Sequence, residues 1–244
     1  SHLVIVMRKL LLFLFLLSLT TPIVLAGNEL IYFIGSSSPT GNPEHVYTFN
    51  PGTNVTSIIY TAPSTIELIN IAVDSLGNYY VTADATVPPL RSSILRNGVP
   101  LLQSTTDFYW DVFVDNNNVL YYSATSSWGS PTLVDRIYRF GSSQPLYTTP
   151  SPYVMGGFAL DSKGNFYAPV THAYNLNRHL NFFMKNGVRQ LYNSGEICDM
   201  DTFGTIRDEI YYTCNYYHPQ FPSLNTLVVH KYDSVTRQTT IAAS

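Results

Sequence analysis

The chain has 244 residues, of which 45% are hydrophobic, 14% aromatic and only 12% charged, and its formal net charge at pH 7 is −3. Soluble cytosolic domains carry about 25% charged residues, so a surface built from Ser, Thr, Asn and Tyr favours an extracytoplasmic protein or one that packs against other protein. The 13 Lys and Arg residues are scattered singly. This argues against nucleic-acid binding, which requires a basic patch.

An apolar stretch follows the first methionine of the chain. Arg8 and Lys9 precede an apolar run over residues 10–19, and the small residue Ala26 ends the stretch. A positive start, an apolar centre and a small residue at the cut are typical of a secretory signal, so we expect cleavage after Ala26. Residues 10–26 are also just long enough to cross a bilayer as an uncleaved helical anchor, and that alternative stays open.

Four related phrases follow at a period of about 40 to 50 residues. Each phrase has an apolar strand, a polar turn of Asp, Asn or Gly, and a Tyr-rich strand, as expected for a β-hairpin. Two more strands follow each hairpin, often around an Asn-Gly turn that tolerates positive φ. The turn aspartates are Asp74, Asp115, Asp161 and Asp201, at spacings of 41, 46 and 40 residues. One unit is therefore a four-stranded antiparallel sheet, the blade of a β-propeller.

Five such units fit residues 27–244, which we predict to be one domain after a signal peptide or membrane anchor over residues 1–26. The fold class is thus all-β: a propeller of about five four-stranded antiparallel blades, preceded by an N-terminal hydrophobic helix. The first unit begins at its second strand, residues 30–34, and so lacks its innermost strand. Three sources of that strand stay open: residues 23–25, chain beyond residue 244, or a partner chain.

The repeated phrase, a hydrophobic triplet followed by Asp, a Gly-Asn turn and a Tyr-rich strand, stands at residues 71–81 and 158–168. It resembles the NHL, SMP-30/gluconolactonase and streptogramin-lyase-like propellers over roughly residues 30–244. The resemblance implies the fold and not an activity. We interpret the repeat aspartates as structural, because an Asp at a strand end accepts hydrogen bonds from backbone N–H groups two residues on.

The resemblance also implies an alternative metal site. In the SMP-30-like lactonases, carboxylate and Asn side chains near the entries to the innermost strands hold a divalent metal ion. The comparable residues of this chain are Glu67, Asn70, Asp111 and Asp199. Oxygen ligands of this kind suit Ca²⁺ or Mg²⁺.

The loops between the second and third strands are the longest and the most varied, and propeller geometry places them on one face. These loops give that face an aromatic and histidine character through Trp128, His172, Tyr174, Arg178, His179, His218 and Phe221. We expect the face to contact protein partners or a glycan. The chain contains no Gly-x-Ser-x-Gly elbow, phosphate loop or zinc signature, so we name no catalytic residue and no cofactor.

The chain has two cysteines, Cys198 and Cys214. If the fourth hairpin turns about residue 206, they face one another across adjacent strands. In a secreted chain this favours a disulfide, with two buried free thiols as the alternative.

Two functions from different classes follow. The favoured one is a non-enzymatic module, secreted or anchored in a membrane through residues 10–26, that binds partners or builds a cell-surface or virion assembly. An open strand edge would then favour self-assembly over a free monomer. The alternative is a metal-dependent SMP-30-like lactonase or streptogramin-lyase-like enzyme. It requires the four metal-ligand candidates to converge within one coordination shell.

Overall fold

A computed structural model describes residues 30–37, 41–88, 91–126, 134–150, 153–155, 157–172, 182–190, 198–206, 209–216, 226–233 and 238–243. These residues contain 20 β-strands and no helix. The predicted N-terminal helix, whether signal or anchor, lies outside them. No helix with the length and apolarity to span a bilayer occurs in this part of the chain.

The chain divides into two compact units, residues 1–122 and 123–244. The described strands form five sheets, each of which follows the chain from strand to neighbouring strand. The first sheet contains β1 (Ile31–Gly35), β2 (His45–Asn50) and β3 (Val55–Thr61). The second contains β4 (Ile66–Val73), β5 (Tyr79–Ala85), β6 (Ser92–Arg96) and β7 (Val99–Ser104). The third contains β8 (Asp107–Val114), β9 (Leu120–Ser126), β10 (Val134–Arg139) and β11 (Tyr147–Thr148).

The last two sheets belong to the second unit. The fourth contains β12 (Tyr153–Met155), β13 (Ala159–Leu160), β14 (Phe166–His172), β15 (Phe182–Lys185) and β16 (Val188–Gln190). The fifth contains β17 (Cys198–Ile206), β18 (Glu209–Tyr216), β19 (Thr226–Asp233) and β20 (Gln238–Ala243). Five antiparallel sheets of this size agree with the repeat that the sequence shows.

Two sheets depart from four strands. Among the described residues the first sheet has three, in the order β1-β2-β3, as expected for a unit that begins at its second strand. In the fourth sheet the first strand is broken into β12 and β13, and both pieces pair with β14. Gly157 lies between the two pieces with a φ of 146°, a backbone conformation that residues with a Cβ avoid.

The core of the first unit forms where the first two sheets meet. Ile34 pairs with Val46, and Val46 with Tyr60, so these side chains form one row across the first sheet. This row belongs to a buried cluster that also includes Leu68, Val81 and other apolar side chains of the second sheet. In β2 the buried positions alternate, at Val46 and Thr48, so one face of this strand points into the core.

A smaller cluster is described in the second unit. Val170 of β14 and Met184 of β15 are buried together, and Tyr147 and Met155 pack against them. Residues 166–170 of β14 are buried without interruption, as expected for a central strand that is covered on both faces.

The Asn-Gly turns form as predicted. Asn97 and Gly98 have φ values of 50° and 80°, which a two-residue hairpin loop requires. A Cβ at Gly98 would lie 2.7 Å from two ring carbons of Tyr60. The outer strand of the first sheet therefore packs an aromatic ring onto the turn between β6 and β7, and only glycine leaves room for it.

The second unit repeats this contact. Gly187 has a φ of 77°, and a Cβ there would lie 3.1 Å from the ring of Tyr147 in β11. Gly141 also has positive φ, at 85°, but a Cβ there would meet nothing within 4 Å. A side chain at Gly141 would therefore cost only the strain of positive φ. At Gly98 or Gly187 it would also cost the close contact with a tyrosine ring.

The fourth hairpin does not turn about residue 206, and this corrects two expectations. The backbone pairs Met200 with Cys214 and Cys198 with Tyr216, so the cysteines lie two positions apart along the ladder and not directly opposite. Asp201 lies inside β17, next to a bulge between Met200 and Phe203, and is not a turn residue. The disulfide itself stays a prediction.

We predict that Gly98→Ala destabilises the protein more than Gly141→Ala. Both substitutions place a Cβ on positive φ, which costs roughly 1–2 kcal/mol, but only Gly98→Ala drives a methyl group into the Tyr60 ring, for roughly 1–3 kcal/mol more. Urea midpoints of the two variants measure the difference. Adding Tyr60→Leu should remove the extra cost, and equal midpoints without it would contradict the packing argument.

We also predict a disulfide between Cys198 and Cys214. The two cysteines lie on neighbouring strands, and the secretory signal expected over residues 1–26 would bring the chain into an oxidising compartment. Alkylation of the native protein without reductant, followed by peptide mass analysis, should recover the two cysteines as one linked peptide pair. Two alkylated thiols would establish the alternative.

Candidate functional site

The seven residues predicted for a binding face fall almost entirely outside the described part of the chain. His172 alone lies in a described strand, at the end of β14, where its backbone pairs with Tyr153. The other six, Trp128, Tyr174, Arg178, His179, His218 and Phe221, lie outside the described residues. The binding face therefore stays a prediction.

Two of the four candidate metal ligands touch each other. The side-chain amide of Asn70 donates a hydrogen bond of 2.5 Å to Oδ1 of Asp111. Asn70 thus turns its N–H group towards the carboxylate, whereas a metal ion would require its carbonyl oxygen. Among the residues that the structure describes, no three His, Cys, Asp or Glu side chains are close enough to hold a metal ion.

The other two candidates lie elsewhere on their strands. Glu67 is opposite Asp84 in the ladder between β4 and β5. Asp199 lies in β17, where its backbone pairs with Asn215, and its side chain is outside the described part. The full set of four therefore stays untested as a coordination shell.

A β-bulge explains the position of Asn70. The register between β4 and β5 shifts between Leu68 and Asn70. The released N–H of Asn70 donates to Oγ1 of Thr82, and that hydroxyl donates to the carbonyl of Trp110 in β8. The bulge thus directs Asn70 towards Asp111, the residue that follows Trp110. The hydrophobic pattern alone does not reveal a bulge, because it changes the register by one residue only.

Asp74 holds the turn between β4 and β5. Its Oδ1 accepts hydrogen bonds from the backbone N–H groups of Leu76 at 3.0 Å and Asn78 at 2.8 Å. Its Oδ2 accepts from the Asn78 amide at 2.8 Å and the Tyr80 hydroxyl at 3.2 Å. Burial alone would raise the pKa of Asp74, but these bonds to Asn78, Leu76 and Tyr80 together lower it. The predicted structural role of this aspartate is confirmed.

Asp161 repeats the arrangement in the second unit. Its Oδ1 accepts from the N–H groups of Lys163 and Asn165 at 3.0 and 2.9 Å. Its Oδ2 accepts from the Asn165 amide at 2.8 Å and the Tyr167 hydroxyl at 3.0 Å. The two aspartates therefore do the same structural work, with the same residue types at the same spacing.

Asp115 makes a smaller version of the network. It accepts from the N–H groups of Asn117 and Val119, and the Tyr121 hydroxyl lies 3.4 Å away. Val119 stands where the other turns have Asn, so the side-chain amide bond is missing. Asn118 instead accepts a hydrogen bond from the backbone N–H of Ser75 in the neighbouring turn.

A second asparagine joins each full network to the next hairpin. Asn97 donates to Oδ1 of Asn78 at 2.9 Å and accepts from the N–H of Tyr79 at 3.0 Å. The guanidinium of Arg96 lies 5.8 Å from the centre of the Tyr80 ring, a cation–π distance. The turn acid, its tyrosine and a cation therefore form one stack at the end of the sheet.

The second unit carries the equivalent stack. Asn186 donates to Oδ1 of Asn165 at 2.7 Å and accepts from the N–H of Phe166 at 2.9 Å. Lys185 lies 5.3 Å from the centre of the Tyr167 ring. Each of these polar residues forms the contacts described here within its own sheet. These stacks are therefore structural, and few of their polar groups remain available to bind a ligand.

Two acids that the sequence analysis did not single out are at least partly buried. Asp135 of β10 is 5% exposed and accepts hydrogen bonds from the Thr125 hydroxyl and from the N–H of Met155. Burial raises the pKa of Asp135, and these two bonds only partly oppose the effect. The sequence could have indicated this buried acid only through a Thr on β9 followed by an Asp on the next strand. That pattern is too common to identify a site.

Asp84 is the second of these acids. Its pKa is raised by burial and by the negative charge of Glu67, while a hydrogen bond with Ser92 acts in the opposite direction. Its Oδ1 atom is buried without a hydrogen-bond partner in the described structure. Nearby, Arg91 and residues 103–106 line a polar groove of about 310 Å³. Its guanidinium, amide and hydroxyl groups suit a small polar ligand better than an apolar one.

We predict that Asp74→Asn costs roughly 1–3 kcal/mol at pH 7, because an amide donor would then face the Asn78 amide donor. The folded pKa of Asp74 is lowered, so its stabilisation is complete above the unfolded value of about 3.9 and is lost as pH falls through the folded value. The gap between wild type and variant should therefore shrink from pH 7 to pH 3. Urea unfolding at both pH values measures it, with exposed Asn116→Ala as the control. A gap that does not change with pH would contradict the prediction.

No family model matches the sequence, and no curated protein matches it. Several solved structures, however, are similar to this chain in fold. A protein of unknown function from Bacteroides caccae superposes with a TM-score of 0.51 at 10% identity, over 86% of this chain and 72% of that one. A puromycin hydrolase mutant complexed with PGG gives 0.51 at 8% identity, over 87% of this chain and 44% of the hydrolase.

A third similar structure is the complex of KlAtg21 with the coiled coil of AgAtg16, with a TM-score of 0.50 at 11% identity over 85% of this chain and 64% of that one. At such identities the likeness concerns the fold alone. Puromycin hydrolase has a propeller-type fold. The chain therefore has a β-propeller-like all-β fold, and the resemblance to NHL or SMP-30 proteins gains no support as a family assignment.

Proposed function

We propose that this chain is a non-enzymatic extracytoplasmic β-propeller of about five blades that serves as a binding or structural module of a cell-surface or virion assembly. One observation carries the proposal: four of the described acids are engaged in holding the fold together. Asp74, Asp115 and Asp161 hold their turns, and Asp135 is bonded to Thr125 and Met155. A catalytic carboxylate must instead be available to substrate or metal.

The composition supports the same function. A surface with few charges and many hydroxyl, amide and tyrosine groups forms contacts that are not weakened by salt. Tyr and Trp are also the side chains that contribute most to protein interfaces. The polar groove lined by Arg91 and residues 103–106 suits a sugar or another polar group of a partner.

The proposed location rests on residues 1–26. Their charge pair, apolar run and small final residue are typical of a segment that directs a chain across a membrane. A protein secreted or anchored in this way works outside the cytoplasm, where a disulfide between Cys198 and Cys214 would persist.

A metal-dependent lactonase or lyase is the second candidate, and the contact between Asn70 and Asp111 favours it, because the fold brings two proposed ligands together. Rotation of the Asn70 amide by half a turn would present its oxygen beside the carboxylate. Calorimetric titration with Ca²⁺ or Mg²⁺ decides this candidate. Stoichiometric binding that Asp111→Asn abolishes would support it, and no binding to the wild type would remove it.

The proposed function is tested on the native source of the protein. Intact cells or virions are treated with a membrane-impermeant amine label, and the chain is then purified, sized and sequenced from its N-terminus. We expect the chain to be labelled before lysis and to run in an assembly larger than one chain. An unlabelled chain released only by lysis would overturn the proposed location. Hydrolysis of a lactone by the pure protein would overturn the non-enzymatic role.

A further inference from the structure

The outer strand of the first sheet, β3, has an unusual surface. It pairs with β2 and has no other neighbour among the described strands. Every residue from Val55 to Ile59 is exposed, and Val55, Ile58 and Ile59 are 53%, 54% and 41% exposed. These three residues are a third of the large exposed hydrophobic side chains in the described structure. A seven-residue edge without charge that exposes three large apolar side chains is a site for pairing with another strand.

The outer strands of the second, third and fourth sheets carry the features that prevent such pairing, whereas β20 of the fifth sheet, with six uncharged residues, does not. β7 contains Pro100, which has no N–H to donate, and follows Arg96. β11 has two residues, and β16 has three with Arg189 at its centre. Short length, proline and charge are the devices by which natural sheets protect their edges. β3 has none of them, and the chain from residue 46 to residue 66 contains no charged residue.

We propose that β3 is a self-association edge, at which a second copy of this chain adds its own β3 in antiparallel orientation. The absence of charge argues for this partner, because a charged strand would lose hydration here and find no counter-ion. An identical uncharged strand brings no like charges together. Antiparallel pairing of one strand with its own copy is also the arrangement that closes by two-fold symmetry.

The sequence of the strand suits this geometry. A two-fold axis through Ser57 places Ser57 opposite Ser57 of the second copy, Thr56 opposite Ile58, and Val55 opposite Ile59. Apart from the two serines, every side chain in these pairs is β-branched, the type that packs best across strands. The bulge opposite Val46 and Tyr47 is at Ile59, so the regular stretch of β3 is residues 55–58 and the pair of Val55 with Ile59 lies at its end. The pairing is therefore short, and the dimer dissociates on dilution.

Sedimentation of the full chain over a range of concentrations tests the proposal. We expect a dimer in equilibrium with monomer, and we expect Ile58→Lys to weaken association at least tenfold. The matched control is Val99→Lys, which adds the same charge to β7 at a residue that is 65% exposed. It should leave association unchanged. Ile58→Thr keeps a β-branched, uncharged side chain and should weaken association less than the lysine does. Thermal unfolding of each variant establishes that it folds.

A cross-link identifies the register. Ser57→Cys should form a disulfide-linked dimer on mild oxidation, while Thr61→Cys, four positions from the axis, and the wild type with its own cysteines should not. A wild type that is monomeric at every concentration overturns the proposal. So does a dimer that Ile58→Lys leaves intact, because association would then run through residues 10–26 or another surface.

This inference names the partner for the assembly role and rests on the proposed function for its biological use. The two can fail separately. A chain that runs in a surface assembly on its native source but is monomeric when pure would contradict the edge pairing alone, and a dimer enclosed in the cytoplasm would contradict the proposed function alone.

Discussion

The constraint on which the structure depends is the need to satisfy backbone N–H groups at tight turns. Where β4 meets β5, the chain reverses over residues 74–78, and the N–H groups of Leu76 and Asn78 point inward with no strand partner. The Asp74 carboxylate accepts both. A neutral acceptor would do this less well, because hydrogen bonds to a charged oxygen are roughly twice as strong. Asp161 provides the same solution in the other unit.

The fixed turn then determines what the rest of the sheet can do. Once the acid is held, its second oxygen orients Tyr80, whose ring in turn lies against the cation of Arg96. Asn97 links the first hairpin to the second, so three strands share one polar network at the end of the sheet. The fixed turn also sets the register between the strands. A shift of that register by one residue would turn each row of apolar side chains away from the core.

Much of this architecture could be predicted from sequence because it depends on interactions between residues that are close together in the chain. Asp at a strand end, Asn-Gly at a turn and alternating Val, Ile and Tyr each act over a few residues, and they predict the strands of the second, third and fourth sheets. The bulge at Asn70, the break between β12 and β13 and the two-position offset of Cys198 and Cys214 could not be predicted. Each of these depends on how a strand fits its neighbours.

The interpretation of Asp201 was wrong for the same reason: the phrase resembles a turn, but pairing with β18 extends the strand past it. Of the candidate site, the resemblance placed Asn70 and Asp111 among four candidate metal ligands, but it did not predict their mutual hydrogen bond, because the sequence has no information on amide orientation.

The short span of the polar networks along the sequence has a consequence for how such a chain can evolve. The side-chain bonds described for Asp74 extend to Asn97 and those for Asp161 to Asn186, so each set lies within about 25 residues. A segment of that kind can be copied as a block together with these bonds. The hairpin of Asp115 differs, since Asn118 bonds to Ser75 in the preceding repeat. Duplication events should therefore tend to keep those two repeats together, and the number of repeats should vary more readily elsewhere.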